Sequence, residues 1–192
     1  MKEIALHIMD VAENGVRAGA KRIEIAIRQE MENELLHITV EDDGHGMEKS
    51  ELERTKDPFY TSRTTRNVGL GIPLFRQQAE MTGGKLEINS EPGKGTQLKA
   101  DLHPGHPDCQ PLGDLEGCWV LLVTSYPGIE WILNLSSEAG EFSISTTEIK
   151  SALEVKSISG IELSEHLKRL IRNNIDELGL YQELGGIHLF KS

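Results

Sequence analysis

Asp10 and Asn14 stand one helical turn apart near the start of the chain, with His7 three residues before Asp10. At i, i+3 and i+7 the three share one face of a helix. An asparagine oxygen can ligate magnesium, and a carboxylate one turn away can orient or activate a water or hydroxyl. A second group is Asp42-Asp43-Gly44-His45-Gly46-Met47. A carboxylate at a strand end can accept from an exocyclic amine such as adenine N6, and glycines after it let the backbone approach a flat ring. His45 reads as a surface turn residue. In Asn67-Val68-Gly69-Leu70-Gly71-Ile72 a glycine turn opens a helix, and its backbone N–H groups suit phosphate oxygens. Arg63 and Arg66, in the loop before it, can add positive charge. This is not a Walker P-loop, because no Gly-Lys-Ser/Thr follows, nor a Rossmann turn, because no strand precedes it. Last comes Gly93-Lys94-Gly95-Thr96, a hairpin tip from which Thr96 can reach a purine directly or through a water. Each group alone has a plain structural explanation. Their order is what distinguishes them.

The elements that must position these groups follow from periodicity. Ile4, Ile8, Val11 and Gly15 make a helical stripe over residues 3–18, and the apolar face opposite His7, Asp10 and Asn14 should pack on a sheet. Ile23, Ile25 and Ile27 alternate in one strand and Leu36, Ile38 and Val40 in the next, a hairpin. Residues 48–70 are polar and irregular and read as a mobile loop. Helical spacing resumes at Ile72, passes through Phe75 and Ala79, and stops at Gly83-Gly84. Leu86 to Ile88 and Leu98 to Leu102 form a second hairpin. Three prolines within 103–113 mark a linker. Beyond it, Trp119–Thr124, Trp131–Leu135 and Phe142–Ser145 read as strands, and about 147–154 and 162–178 as helices. Ser159 and Glu162 have capping-box spacing for the last helix.

Bulk composition narrows the classes. The chain has 192 residues, 38% hydrophobic and 27% charged, which suits a folded domain with a small companion. Its formal charge of -11 opposes nucleic acid and anionic membranes as main partners. Cys109 and Cys118 can pair but make no disulfide framework, and reduced thiols are expected. His103, His106 and Cys109 have metal-like spacing without a fourth ligand. With no apolar leader and no run of membrane-spanning length, a cytoplasmic protein is expected.

Taken together, residues 1–103 resemble the GHKL ATP-binding fold shared by gyrase, MutL, histidine kinases and anti-sigma-factor kinases. The resemblance implies an α+β fold: a two-layer sandwich of Bergerat type, with a mixed sheet and helices on one face. A linker at 104–113 and a small α+β C-terminal region at 114–192 would follow. It implies ATP and Mg2+ as ligands. Asn14 would hold the metal, Asp10 would be the catalytic carboxylate, and Asp42, Gly44 and Gly46 would meet the adenine. Gly69 and Gly71 would meet the phosphates, with Gly93, Gly95 and Thr96 as the third glycine box and Arg63 beside the nucleotide. Pro58-Phe59-Tyr60-Thr61-Ser62-Arg63 resembles the phenylalanine-centred box of histidine kinases.

Two departures shape the functional expectation. Asp10 stands where gyrase-like members carry a glutamate base, and its side chain is one methylene shorter. No phosphorylatable-histidine helix precedes the first box, so a kinase acting in trans on a protein partner, or a regulatory ATPase, is expected. The alternative is an ATP-gated interaction switch in which nucleotide orders residues 48–70. Length and arrangement also resemble small ATP-binding proteins that accompany iron-only hydrogenases, which hints at a redox-associated partner.

Overall fold

The computed structural model describes residues 2–54 and 71–180. In chain order the elements are α1 (Ile4–Arg17), β1 (Arg22–Glu30), β2 (Leu35–Asp42), α2 (Lys49–Arg54), α3 (Gly71–Met81), β3 (Lys85–Glu91) and β4 (Gly95–Leu102). Then come α4 (Leu115–Ser125), β5 (Glu130–Ser137), β6 (Gly140–Ser145), α5 (Thr146–Ala152) and α6 (Ile161–Glu177).

The six strands form one sheet in the order β3-β4-β2-β1-β5-β6. Strict alternation makes it two-faced. Ile23, Ile25 and Ile27 are buried, as are Leu36, Ile38, Val40, Leu98, Ala100 and Leu102. On the other face Arg28, Glu41 and Lys99 are exposed, so among the described residues helices cover one face. Register fixes this pattern: Ile25 lies opposite Val40, and Val40 opposite Leu98. The β1–β2, β2–β4, β3–β4 and β5–β6 pairs are antiparallel, whereas β1 and β5 run parallel, with Ile23 beside Trp131. The result is the mixed-sheet α+β sandwich expected from the resemblance.

Residues after the proline-rich stretch therefore extend the same sheet. Trp119 and Trp131 lie at 0% exposure in one apolar cluster with Ile4, Ile8 and Phe75. The chain at 111–112 also completes α1. Glu3 supplies no side-chain cap, and the amides of Ile4 and Ala5 donate to the carbonyls of Pro111 and Leu112 at 2.9 and 2.8 Å.

Three local expectations are corrected. Trp119–Thr124 is helical, part of α4, whose first turn is capped by Asp114 accepting from the Gly117 amide at 2.8 Å. Its apolar run packs on more than one side, so it shows no helical period. Ser159 caps nothing, because the residue before α6 is Gly160 and no side chain caps it. The capping box belongs to α5, with Ser145 and Glu148 bonded reciprocally. Residues 49–54 of the expected loop form α2. Among the described residues no helix is long and apolar enough to cross a membrane.

Candidate functional site

Helix α1 organises the site, because two expected groups meet it at Asp10 and Gly15, five residues apart. Gly71 begins α3, and a methyl added to it would collide with the Asp10 carboxylate. Asp42 closes β2, and its side chain lies against Gly15: a Cβ there would stand 2.8 Å from Asp42 Cβ and 3.1 Å from Cγ. Asn14, between those contacts, is exposed, and its side-chain oxygen accepts from Arg17 at 2.6 Å. Gly71 thus meets α1 at Asp10 and Asp42 meets it at Gly15, next to Asn14 in the chain.

The Asp42 turn is built around backbone. Gly44 donates its amide to Asp42 Oδ1 at 2.8 Å, and the His45 amide donates to the Ala18 carbonyl at 2.9 Å at the end of α1. Gly46 has φ +67 and Gly95 φ +98, both left-handed conformations that side chains disfavour. A Cβ on Gly46 would strike the Glu91 carbonyl, and one on Gly95 the Asp42 carbonyl. The two glycine turns are stitched together: the Gly93 amide donates to His45 O at 2.7 Å, and the Met47 amide to Ser90 Oγ at 2.9 Å. Ser90 Oγ also meets Thr96 Oγ1 at 2.9 Å, so the Thr96 hydroxyl sits in this junction, opposite Asp42 in the β2–β4 register. The exposed His45 turns Nδ1 toward the Gly46 carbonyl at 2.6 Å.

Burial pushes the Asp42 carboxyl above its ordinary range, opposed by the Gly44 and Thr96 backbone amides. Its neighbour behaves differently. Asp43 accepts from the Lys21 and Arg22 amides at 2.6 and 2.8 Å, which consumes it in tying the end of β2 to the start of β1.

Gly15, Ala18, Arg17 and Ser90 carry weight that their sequence positions did not announce. Gly15 showed only as a small residue in a helical stripe, and Ser90 as a polar residue on a strand. His7 departs from its expected company: it is 1% exposed, stacked on Phe75 at 5.1 Å, and packed beneath α3 instead of lining the open side with Asn14. Arg63 and Gly69 lie outside the described residues, as does the Pro58–Arg63 string. Among the described residues no group of three His, Cys, Asp or Glu could hold a metal ion, so 103–109 forms no such cluster.

Residues 2–106 match the family of histidine kinase-, DNA gyrase B- and HSP90-like ATPases. That is over half of the 192 residues. The chain belongs to this ATPase family. ATP binding follows from that membership, and the GHKL resemblance read from the glycine boxes is borne out. Among curated relatives, the ATPase domain is similar to the non-motile and phage-resistance protein of Caulobacter vibrioides, 32% identical over 114 residues, covering 56% of this chain and 14% of that one. Similarity extends to sporulation kinase C of Bacillus subtilis, 30% identical over 102 residues, covering 53% and 23%. A probable C4-dicarboxylate sensor kinase of the same species is 35% identical over 83 residues, covering 43% and 15%. The chain thus spans under a quarter of the length of each of these relatives. Among solved structures, the N-terminal domain of a DNA repair protein matches 76% of this chain and 53% of its own, with TM-score 0.53 at 16% identity. That likeness is one of fold. It covers more of the chain than residues 2–106 do, so part of the C-terminal region shares it.

Proposed function

We propose that this ATPase domain binds ATP with Mg2+ along the open side of α1 and passes the γ-phosphate to a protein partner in trans or to water. The contact of both Gly71 and Asp42 with α1, at Asp10 and Gly15, carries the reading. It sets a phosphate-type helix start and an amine-accepting carboxylate on one helix. The glycines fit a nucleotide: wherever a Cβ would fill the turn, backbone comes forward instead, as at Gly46 and Gly95.

In this reading Asp42 accepts from the adenine amine, with Gly44, Gly46 and Thr96 shaping the ring site. Gly69, Gly71 and Arg63 serve the phosphates. Asn14 gives its oxygen to the metal, exchanging the Arg17 bond for it. Magnesium needs few protein ligands when phosphates supply the rest, which suits a site with one carboxamide. The ion would supply charge neutralisation at the phosphates. Asp10, pressed on Gly71, is placed to orient the accepting hydroxyl or water, while positioning provides most of the rate. The pocket residues fall within 1–103, which we treat as the nucleotide-binding unit. Residues 104–113 then connect it to 114–192, and a partner, redox-associated or otherwise, is met outside the pocket.

Single-turnover assay with labelled ATP tests the chemistry. Asp10→Asn should lower phosphoryl transfer or hydrolysis by about a hundredfold or more, the scale of lost general-base assistance, while ATP still binds. Equal turnover in the variant would remove Asp10 from the mechanism. A wild-type protein that binds ATP but never turns it over would favour the ATP-gated switch instead.

A further inference from the structure

His7 is a buried imidazole with one ring nitrogen spoken for and one not. Nε2 meets Gln110 Oε1 at 3.0 Å, and because that oxygen only accepts, Nε2 carries the proton. Nδ1 then keeps a lone pair, is buried, and makes no hydrogen bond that meets ordinary geometry among the described residues. The ring lies nearly parallel to Phe75 of α3, 14° between planes. Burial disfavours its charged form, and both the Gly71 backbone and the Asp10 carboxylate are near enough to act on it. An orphaned buried acceptor is unfavourable for stability alone. Here the Gly71 backbone, at the start of α3, lies close to the ring.

Gln110 is four residues beyond the last residue matched to the ATPase family. It adjoins Pro111 and Leu112, whose carbonyls take the first amides of α1. One short segment therefore holds both the start of α1 and the His7 ring that spaces α1 from α3.

We infer that His7 is a positioning residue for the phosphate end of the nucleotide site, held by Gln110 so that the first turn of α3 seats against Asp10. The inference rests on the ATP reading above. It adds a residue pair that the nucleotide never touches, and it makes the chain beyond the matched domain part of the site's geometry. The adenine end, built on Asp42, Gly46 and Gly95, has no contact with His7 and stays out of the linkage.

The two ends separate experimentally. Affinities for ATP with magnesium and for adenosine are measured on the full chain and on His7→Phe, Gln110→Leu and the double variant. Phenylalanine keeps the stack and loses the bond, and Gln110→Leu removes the bond from a half-buried position if His7→Phe fails to fold. ATP affinity should fall about five- to tenfold in each single variant, the scale of one lost hydrogen bond. The double variant should fall no further than the singles, since both remove one interaction. Adenosine affinity should not change. Unchanged ATP affinity, or equal losses for ATP and adenosine, would overturn the inference by showing no role or a merely structural one. Wild-type protein that binds no ATP would instead overturn the reading beneath it, and this inference with it.

Discussion

In the region of strands β1–β4 with α1 and α3, Asp42, Gly46, Gly71 and Gly95 stand at the ends of elements or in turns and press on neighbouring elements. Strands β5 and β6 with α4, α5 and α6 use their junctions differently. There Asp114, Ser145 and Glu130 cap helices or tie turns, and Glu116 pairs with Arg172 to fasten α4 to α6. One region brings bare backbone into close contact at its turns, and the other uses its polar groups in caps and ion pairs. Yet both share one sheet and one apolar cluster, through the parallel β1–β5 pair. The proposed nucleotide site thus lies in one region, while the apolar core spans both.

The largest effect should come from a core residue of the second region. Trp131 is fully buried beside Ile23, and Trp131→Ala should cost about 3–5 kcal/mol and lower a single unfolding transition for the whole chain. Two separate transitions in calorimetry, with ATP binding kept in the more stable one, would break the claim of a shared core. In the first region Gly95→Ala forces φ +98 on an alanine and drives its methyl at the Asp42 carbonyl. A destabilisation of about 1–3 kcal/mol is expected, with a loss of ATP affinity that Trp131→Ala should not produce at temperatures where that variant is folded. Matched ATP affinity in Gly95→Ala and wild type would contradict the account of the turn.

Smaller effects sharpen the contrast. Ser145→Ala removes half of the α5 capping box and should cost about 1 kcal/mol by denaturant melt, leaving nucleotide affinity alone. A drop in affinity would show that the second region reaches the pocket by this route. The pH dependence of stability should carry a mark of His7. Burial lowers its pKa from the ordinary 6.5, so as pH falls below 6.5 the unfolded chain takes up this proton first and stability declines. His7→Phe should flatten the decline by up to about one proton's slope. Identical slopes would mean that His7 charges as readily in the fold as in the unfolded chain.

Much of this was legible because the physical signals were local. Alternation at Ile23, Ile25 and Ile27 and at Leu36, Ile38 and Val40 needs only the pleat to be read. The glycine boxes needed only their order along the chain. What escaped was set by distant packing. The run Trp119–Thr124 looks like a strand because α4 buries Trp119, Val120, Leu122 and Val123 together, which erases the helical period. Ser159–Glu162 and Ser145–Glu148 have the same spacing, and only the actual chain path at Gly160 decides between them. His7 sits on the same stripe as Asp10 and Asn14, but α3 covers that end of the stripe with Phe75. Gly15 gave no sign that Asp42, from a strand that follows later, would press on it.

Calorimetric titration of ATP with magnesium into the wild type and Asp42→Asn tests the central claim most directly. The account predicts one saturable site in the wild type, and binding lost in Asp42→Asn, which turns an acceptor toward the adenine amine into a group half donor, while the unfolding transition is preserved. Binding of equal strength in both proteins would contradict it, because the carboxylate at the end of β2 would then not be reading the base.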